Sequence, residues 1–354
     1  MSKLPPVDVN YLQELLIKLL EQPSPTGYTD RVIEMLWETF SPYQQLEVEK
    51  TPKGALTAAW LVDDRPLQRG LTAHVDTLGA MVKEVKSNGR LKLTQLGGFH
   101  WHTIEGEGCT VRTSRGREIR GSILIDKASA HVHGKDVSET KRDQEHLEVR
   151  LDARTGSREE TRDLGVEVGD FVFLDPRVEC NQGFIRSRHL DDKAAVACLA
   201  AAVRALDQAA VEPARSTLFH FSNYEEVGHG AAAGFPDSLQ ELVAVDMAAV
   251  GQGQRSDEFH ATLCVKDSGG PYHHGLNQKL RRLAEDEDLA YRVDVYPHYG
   301  SDGEAYWRAG GNVAVALIGP GVDASHNYER THLESLTATT RWILAYLLDA
   351  RDWV

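Results

Sequence analysis

One stretch of the sequence constrains the fold more than any other, because an apolar strand-like run ends in two adjacent carboxylates. The run 216–222, STLFHFS, has the composition of a buried strand, and Glu225 and Glu226 follow it closely. A second apolar run is followed by Asp246 in the same way. Open α/β sheets place their sites at the carboxyl ends of strands, where a buried acid needs a partner. The pattern predicts such a site, although a solvated turn would also explain the Glu225–Glu226 pair taken alone.

Strand and helix patterns alternate along most of the chain. Apolar residues at helical spacing predict helices over 9–20, from about 30 to 40, over 272–289 and at the C-terminus, while short β-branched runs lie between them. Alternation of this kind is typical of a mostly parallel sheet covered by helices on both faces. The expected fold class is therefore α/β.

The segment 83–179 differs from its flanks because it consists of short β-patterned runs and turns, such as GRLKLTQLGG and GVEVGDFVFLD. Several short strands at regular spacing indicate a small barrel or sandwich. We therefore predict a discontinuous main domain over 1–82 and 180–354, with a β-domain inserted over 83–179.

Charge and composition exclude several classes of function. The 354-residue chain carries 53 acidic and 39 basic residues, a formal net charge of −14, so no basic excess exists to neutralise nucleic-acid phosphates. The four cysteines are scattered without CxxC spacing, which indicates reduced core residues rather than disulfides or a thiolate site. The N-terminal segment is too interrupted by charge for a signal peptide, and no apolar run approaches a membrane span. We expect a soluble, cytoplasmic protein without membrane or nucleic-acid partners.

A short polar motif, HVDTLG, follows another strand-like run and offers metal ligands. The imidazole of His74 can supply a neutral nitrogen to a divalent metal, while the carboxylate of Asp76 accepts from its other ring nitrogen and fixes the tautomer. Gly79 lets the chain turn away. An HxD pair at a strand end is also typical of ordinary polar termination, so this motif needs support from the rest of the chain.

Two aspartates begin a long alanine-rich helical pattern, HLDDKAAVACLAAAVRAL. Asp191 and Asp192 stand where the unpaired amides of a helix N-terminus favour carboxylates, and that structural role is sufficient by itself. The functional interpretation makes Asp191 a ligand whose two oxygens bridge two cations. This pattern alone leaves both interpretations open.

Five candidate ligands fall at strand ends or helix starts, in the order His, Asp, Glu, Asp, His. They are His74, Asp191, Glu226, Asp246 and His332. Carboxylates mixed with imidazoles suit zinc, cobalt or manganese, and one shared carboxylate suits a site with two metal ions. Glu225, beside a ligand yet free, can then act as a general base. His131 and His133 form HxH in a polar segment without a carboxylate motif, and we interpret them as part of a loop.

With these motifs the chain resembles the M42 metallopeptidases, dinuclear aminopeptidases of the glutamyl and deblocking type. AHVDTLGAMV is similar to the HxDxxG signature of the family, HLDDKAA to its bridging motif, YEEVG to its catalytic Glu-Glu, AVDMA to its AxD and ERTH to its terminal histidine motif. The resemblance covers nearly the whole chain. It implies a zinc-peptidase-like αβα sandwich with a mostly parallel central sheet, and an inserted β-barrel that mediates homo-oligomer assembly, often into dodecamers, and controls access.

The resemblance also implies how the ligands are shared between two metal ions. His74 and Asp246 would hold one ion, Glu226 and His332 the other, and Asp191 would bridge them. Two divalent ions per subunit are expected, with zinc as the first choice and cobalt or manganese as alternatives. Short peptides are the expected substrates, cleaved at their N-terminal residue.

The catalytic roles follow from the same resemblance: Glu225 is the base and Asp76 orients His74. Thr77 stands where many members carry an acid, and Lys193 where arginine is common. The sequences LES after the terminal histidine and HGAAAG after the Glu-Glu motif also depart from the family pattern. These departures leave the metal site intact but put the substrate in doubt.

Two other functions stay open on the sequence. The ending SHNYERTH resembles a branch associated with bacterial gene clusters for the osmoprotectant N-acetylglutaminylglutamine amide, which implies a deacylase or amidase acting on blocked dipeptides. A non-catalytic scaffold is the third interpretation, and it is the least favoured because strand-end acids without a metal would be costly.

Overall fold

The computed structural model describes residues 4–63 and 65–353, in which a mixed sheet flanked by helices lies beside a closed β-barrel. The helices are α1 (Val9–Glu21), α2 (Asp30–Phe40), α3 (Ala130–His133), α4 (Asp136–Glu139), α5 (Arg158–Asp163), α6 (Leu190–Ala209), α7 (His274–Asp286), α8 (Asp302–Arg308) and α9 (Leu333–Leu348). The strands are β1 (Leu46–Lys50), β2 (Leu56–Trp60), β3 (Arg69–His74), β4 (Gly79–Val85), β5 (Leu91–Leu96), β6 (Gly108–Arg112), β7 (Glu118–Ile125), β8 (Leu147–Leu151), β9 (Phe171–Leu174), β10 (Glu179–Asn181), β11 (Phe184–Ser187), β12 (Thr217–Ser222), β13 (Glu241–Val245), β14 (Ala248–Val250), β15 (Ala261–Lys266), β16 (Tyr291–Val295), β17 (Ala314–Asp323) and β18 (Glu329–His332).

The large sheet has a parallel centre and antiparallel flanks. Its strand order is β1-β2-β12-β3-β13-β17-β18-β11-β10, with β14, β15 and β16 pairing off this path. The four central strands β12, β3, β13 and β17 run parallel, which confirms the expected α/β fold with a parallel central sheet. Because they are parallel, the carboxyl ends of these strands meet at one edge of the sheet.

The central strands β13 and β17 contribute apolar side chains to both faces of the sheet. In β13, Val243 and Val245 belong to the apolar cluster that contains residues of α1, α2, α6, α7 and α9, whereas Leu242 and Ala244 face the side covered by α8. Almost every residue of α6 is buried, because its small alanines let α1 and α9 approach on either side. The sheet is therefore covered on both faces.

The barrel closes in the order β4-β5-β8-β7-β6-β9 and has an apolar core of its own. We propose that it is the β-domain predicted over 83–179. Its first strand already begins at Gly79, four residues before that boundary, because the turn after His74 leads directly into the barrel. One prediction about composition needs correction: Cys180 is not a core residue but is exposed on the edge strand β10.

Two predicted helix starts have different outcomes. Helix α1 begins as expected after Asp8, whose side chain accepts from the amide of Tyr11. Helix α6 does not begin regularly, because Asp191 and Asp192 have non-helical backbone angles and are joined by a cis peptide bond. The two aspartates therefore form an irregular entry to α6, next to the carboxyl edge of the sheet.

Candidate metal centre

Two groups of potential metal ligands lie at the carboxyl edge of the central sheet and share one residue. The first contains His74, Asp191 and Asp246, and the second contains Asp191, Glu226 and His326. In each group the candidate ligand atoms lie within 4.8 Å of one another. Four of the five ligands predicted from the sequence are thus brought together, with Asp191 common to both groups.

The carboxylate of Asp191 lies between two imidazoles. Its Oδ1 is 3.0 Å from Nε2 of His74, and its Oδ2 is 3.4 Å from Nε2 of His326. Each oxygen therefore faces a different group of ligands. This is the arrangement that a carboxylate bridging two cations requires.

Both histidines have their ring orientation fixed by a backbone carbonyl. Nδ1 of His74 donates to the carbonyl of Asp76 at 2.8 Å, and Nδ1 of His326 donates to the carbonyl of Gly98 at 2.5 Å. A carbonyl can only accept, so Nδ1 of each ring carries a proton, and Nε2 faces the acids, where it would bind a metal once deprotonated. Both rings are prepared as metal ligands in the same way.

Asp76 does not act as its motif predicts. The structure shows its main-chain carbonyl, not its carboxylate, orienting His74, and its nearer carboxylate oxygen is 3.7 Å from the ring nitrogen. The carboxylate instead accepts from the amides of Glu225 and Glu226 at 3.1 and 3.3 Å and from the hydroxyl of Thr26 at 2.7 Å. Asp76 therefore fixes the turn that carries the two glutamates.

The predicted ligand His332 lies outside both groups, and His326 is present instead. In β18 successive side chains alternate between the two faces, so Glu329 and Thr331 point inward while His332 points away. The ring of His332 packs against Phe184, accepts from the amide that begins α9 and donates to a nearby carbonyl. In the structure His332 is the N-cap of α9.

Glu329 is a site residue that the sequence interpretation missed. It is fully buried, and its two oxygens accept from the amides of Asp191 and His326, each at 3.1 Å. One carboxylate thus positions the bridging ligand and the histidine of the second group. The alternation of buried and exposed residues in ERTH is visible only in the structure, so the sequence held no signal that identified Glu329.

The two adjacent glutamates lie in one tight turn. Tyr224 and Gly228 both adopt left-handed backbone conformations, with φ of 75° and 87°, on either side of a single 3₁₀ turn. Oε2 of Glu225 lies 3.7 Å from Nε2 of His74, whereas Oε2 of Glu226 lies 3.6 Å from Nε2 of His326. The two carboxylates therefore face different groups of ligands.

Burial and mutual repulsion shift the titration of the acids. Burial, with the neighbouring Asp191 charge, raises the pKa of Glu226 to about 8 and that of Asp246 to about 7. Burial also raises the pKa of Glu225 well above its usual range. Burial alone would lower the pKa of His326, but its hydrogen bond to Asp191 raises it to about 11. The cluster thus holds more negative charge than its own cations neutralise.

The donor set fits divalent metal ions. Oε1 of Glu226 is buried and has no hydrogen-bond partner among the described residues. A buried carboxylate oxygen without a partner is costly, and a cation would relieve both that cost and the repulsion between the acids. Imidazole and carboxylate donors without thiolate match zinc, cobalt or manganese.

An open cavity of about 730 Å³ lies over these ligands. Its lining includes every proposed ligand except His74, together with residues 98–100 and 102–103, which follow β5 of the barrel, and residues 298–301 of the main domain. This volume is in the range of cavities that take small organic molecules or short peptides. The barrel thus contributes part of the wall around the candidate site.

The HxH motif lies elsewhere. His131 is exposed and His133 partly exposed in the short helix α3, and within residues 4–63 and 65–353 they belong to no group of three candidate metal ligands. The same residues contain no helix that is both long and apolar enough to span a membrane.

Comparisons with known proteins identify the family. The model of the M42 glutamyl aminopeptidase family matches residues 55–342. The chain is 45% identical over 340 residues to a protein of Bacillus subtilis (strain 168) named "Putative aminopeptidase YhfE", a match that covers 96% of this chain and 98% of that one.

Solved structures show the same fold at lower identity. The aminopeptidase APDkam598 from the archaeon Desulfurococcus kamchatkensis superposes with a TM-score of 0.86 at 21% identity, covering 97% of this chain and 96% of that one. The TET1 peptidase of Pyrococcus horikoshii, described as assembling into a tetrahedron or a large octahedral shell, gives a TM-score of 0.83 at 22% identity, covering 96% and 99%. The family match over residues 55–342 and the 45% identical relative show that the chain belongs to the M42 family of metallo-aminopeptidases.

Proposed function

We propose that this protein hydrolyses the N-terminal residue of short peptides at a site with two divalent metal ions. The observation that carries the proposal is the pair of ligand groups that share Asp191 beneath an open cavity. His74, Asp191 and Asp246 would hold one ion, and Asp191, Glu226 and His326 the other. A metal pair, when bound, supplies an activated water and polarises the scissile carbonyl.

Glu225 would act as the general base. Its carboxylate faces the His74 group without belonging to either ligand group, and its raised pKa suits an acid that takes a proton and returns it to the leaving amine. The Asp76 hydrogen bond to the Glu225 amide would keep the base in place. Nδ1 of His74 and Nδ1 of His326 each donate to a backbone carbonyl, so each ring would keep Nε2 for the metal.

Removing and restoring the metal tests this proposal. The protein is stripped with a chelator and assayed on peptides with a free N-terminus before and after addition of zinc, cobalt or manganese; we propose zinc as the native ion. Activity should disappear and return, with two ions bound per chain. Glu225→Gln should bind both ions but lose about 10²–10⁴-fold in kcat. Full activity of the metal-free protein or of Glu225→Gln would contradict the proposal.

A second candidate substrate class is supported by the composition of the cavity. The only acids among the described residues that line it are the proposed ligands and base, Asp191, Glu225, Glu226 and Asp246. None is left over to bind a free α-amine, which favours a blocked dipeptide such as N-acetylglutaminylglutamine amide. Pairs of peptides with free and N-acetylated ends decide between these substrates, because cleavage of the blocked peptides alone would exclude the aminopeptidase assignment.

We also propose that the protein forms a homo-oligomer in which the barrel controls access to the site. The support is the barrel residues 98–100 and 102–103 in the cavity wall and the shells described for the TET1 peptidase. Light scattering coupled to size-exclusion chromatography should give a mass several times that of one 39.3 kDa chain, and a dodecamer is the expected species. A monomeric mass would contradict this part of the proposal. A cytoplasmic location stays a prediction.

A further inference from the structure

A second buried carboxylate lies beneath the turn that carries Glu225 and Glu226. Asp302, the first residue of α8, is 3% exposed. Its Oδ1 accepts from the amide of Ala231 at 2.7 Å. Its Oδ2 accepts from the hydroxyl of Ser222 and, at 3.2 Å, from that of Thr72. Asp302 thus joins α8 to β3, to the end of β12 and to the segment that follows the catalytic turn.

Asp302 reaches Glu225 through a glycine. A Cβ atom built on Gly230 would lie 2.2 Å from Oδ1 of Asp302 and 3.0 Å from both the Cα and the amide nitrogen of Glu225. The backbone at Gly230 is therefore enclosed between the Asp302 carboxylate on one side and the Glu225 backbone on the other. No space remains at this contact. The position of the Asp302 carboxylate therefore determines where the Gly230 backbone lies against the Glu225 backbone.

The turn is held at both ends by carboxylates. Asp76 accepts from the amides of Glu225 and Glu226, while Asp302 binds the residue before the turn, Ser222, and the residue after it, Ala231. Asp76 therefore contacts the turn itself, whereas Asp302 contacts residues on either side of it. Loss of Asp302 would leave the Asp76 contacts in place but free the far end of the turn.

We propose that Asp302 is a positioning residue for the reaction, which holds the Glu225 carboxylate at its working position by bracing the turn through Gly230 and Ala231. This inference rests on the proposed role of Glu225 as the base. Asp302 belongs to neither ligand group, so its effect is on the placement of the base rather than on metal binding. A displacement of about 1 Å in such a group can cost about a hundredfold in rate.

Two substitutions at position 302 separate geometry from charge. Asp302→Asn keeps an oxygen for the Ala231 amide and offers an NH₂ group to the hydroxyls of Ser222 and Thr72, which can also accept. Asp302→Ala removes every contact. We expect Asp302→Ala to lower kcat by about ten- to a hundredfold with KM little changed, and Asp302→Asn to recover most of the loss. Metal content should stay at two ions per chain in both variants.

Two further variants distinguish displacement of Glu225 from a general loss of folding. Gly230→Ala keeps the carboxylate but should displace the Glu225 backbone, so it should reproduce the fall in kcat at unchanged metal content. The matched control is Asp170→Ala in the barrel, which removes another buried aspartate that accepts from two backbone amides, those of Ser114 and Glu167. Its kcat should equal that of the wild type.

The outcomes distinguish this inference from the proposed function. Wild-type kcat in Asp302→Ala, or equal losses in Asp302→Ala and Asp302→Asn, would overturn the positioning role while Glu225→Gln remains inactive. Loss of metal in Asp302→Ala would likewise overturn it, because the residue would then act on the ligands. Wild-type kcat in Glu225→Gln would instead show that the proposed function itself is wrong.

Discussion

Buried charges are paired at the amino ends of the central strands, but carboxylates are in excess at their carboxyl ends. At their amino ends, Arg69 of β3 and Glu241 of β13 form a buried ion pair, with Nε and Oε1 2.8 Å apart. At their carboxyl ends, His74 of β3 and Asp246 after β13 lie in a cluster with an excess of carboxylates. Strands of six and five residues thus connect a site whose buried charges are paired to a site with excess negative charge.

The balance at the amino end is supplied by the protein itself. Arg69 also donates to the carbonyls of Tyr346, Leu347 and Asp349 at the end of α9, and Lys279 lies 3.5 Å from Glu241. At the carboxyl end the protein supplies two imidazoles against several acids. We infer that the charges at the amino end contribute to stability, whereas those at the carboxyl end bind cations from solution.

Breaking the balance at the amino end should have the largest effect on stability. Arg69→Met leaves Glu241 buried beside Lys279 alone, so we expect the free energy of unfolding to fall by about 3–5 kcal/mol. Denaturation in urea measures the change, and the activity of the protein that remains folded should be normal. As a control, Arg31→Met removes a partly exposed ion pair with Glu118 and should cost about 1 kcal/mol or less. Equal losses in both variants would contradict the comparison.

The ligand set at the carboxyl end is tested by replacing each of the two candidate histidines with alanine. His326→Ala removes a ligand and should reduce the bound metal toward one ion per chain, with an activity loss of about a hundredfold or more. His332→Ala should keep both ions and most of the activity, because that ring contacts Phe184 and the start of α9. Metal analysis and a peptidase assay on both variants check this. Metal loss in His332→Ala alone would restore the assignment made from the sequence.

The unbalanced end should be a source of instability when no metal is present. In metal-free protein near pH 8, Asp246→Asn removes one of several crowded carboxylates and keeps the acceptor for the Met247 amide. We expect an increase in the free energy of unfolding on the order of 1 kcal/mol, together with loss of metal binding. A decrease in stability of the metal-free variant would show that the acids are balanced by the protein after all.

The pH dependence of the metal-free protein gives a smaller and graded effect. The folded pKa values of Asp246 and Glu226, about 7 and 8, lie above their unfolded values of about 4. The stability that such groups contribute is fully present below the unfolded pKa and is lost as the pH rises through the folded values. Urea denaturation between pH 5 and 9 should show a decline on the order of 1 kcal/mol per pH unit. The metal-loaded protein should show no such decline, since its ligands are already deprotonated.

The patterns that could be read from the sequence are those fixed by local periodicity. The apolar runs before Glu225 and Asp246 predicted buried parallel strands, and these place both acids at the carboxyl edge. Helical spacing predicted α1 from Val9, and the change to short β-runs predicted strands where the barrel lies. These features depend on neighbours in the chain, so the sequence contains them.

The features that could not be predicted from the sequence depend on which atom of a residue contacts a residue distant in the chain. Asp76 lies where the motif places it, but only the fold shows that its carbonyl serves His74 while its carboxylate serves Glu225. The choice between His326 and His332 depends on the pleat of a four-residue strand. Asp302 resembles an ordinary helix start in the sequence, because its partners come from three other segments.

Anomalous X-ray diffraction from metal-loaded crystals tests the central claim most directly, that the carboxyl edge of the sheet holds two ions bridged by Asp191. Data collected at the zinc absorption edge should show two peaks per chain, one against His74 and Asp246 and the other against Glu226 and His326, with Asp191 in contact with both. A single peak, or a peak beside His332, would contradict the account.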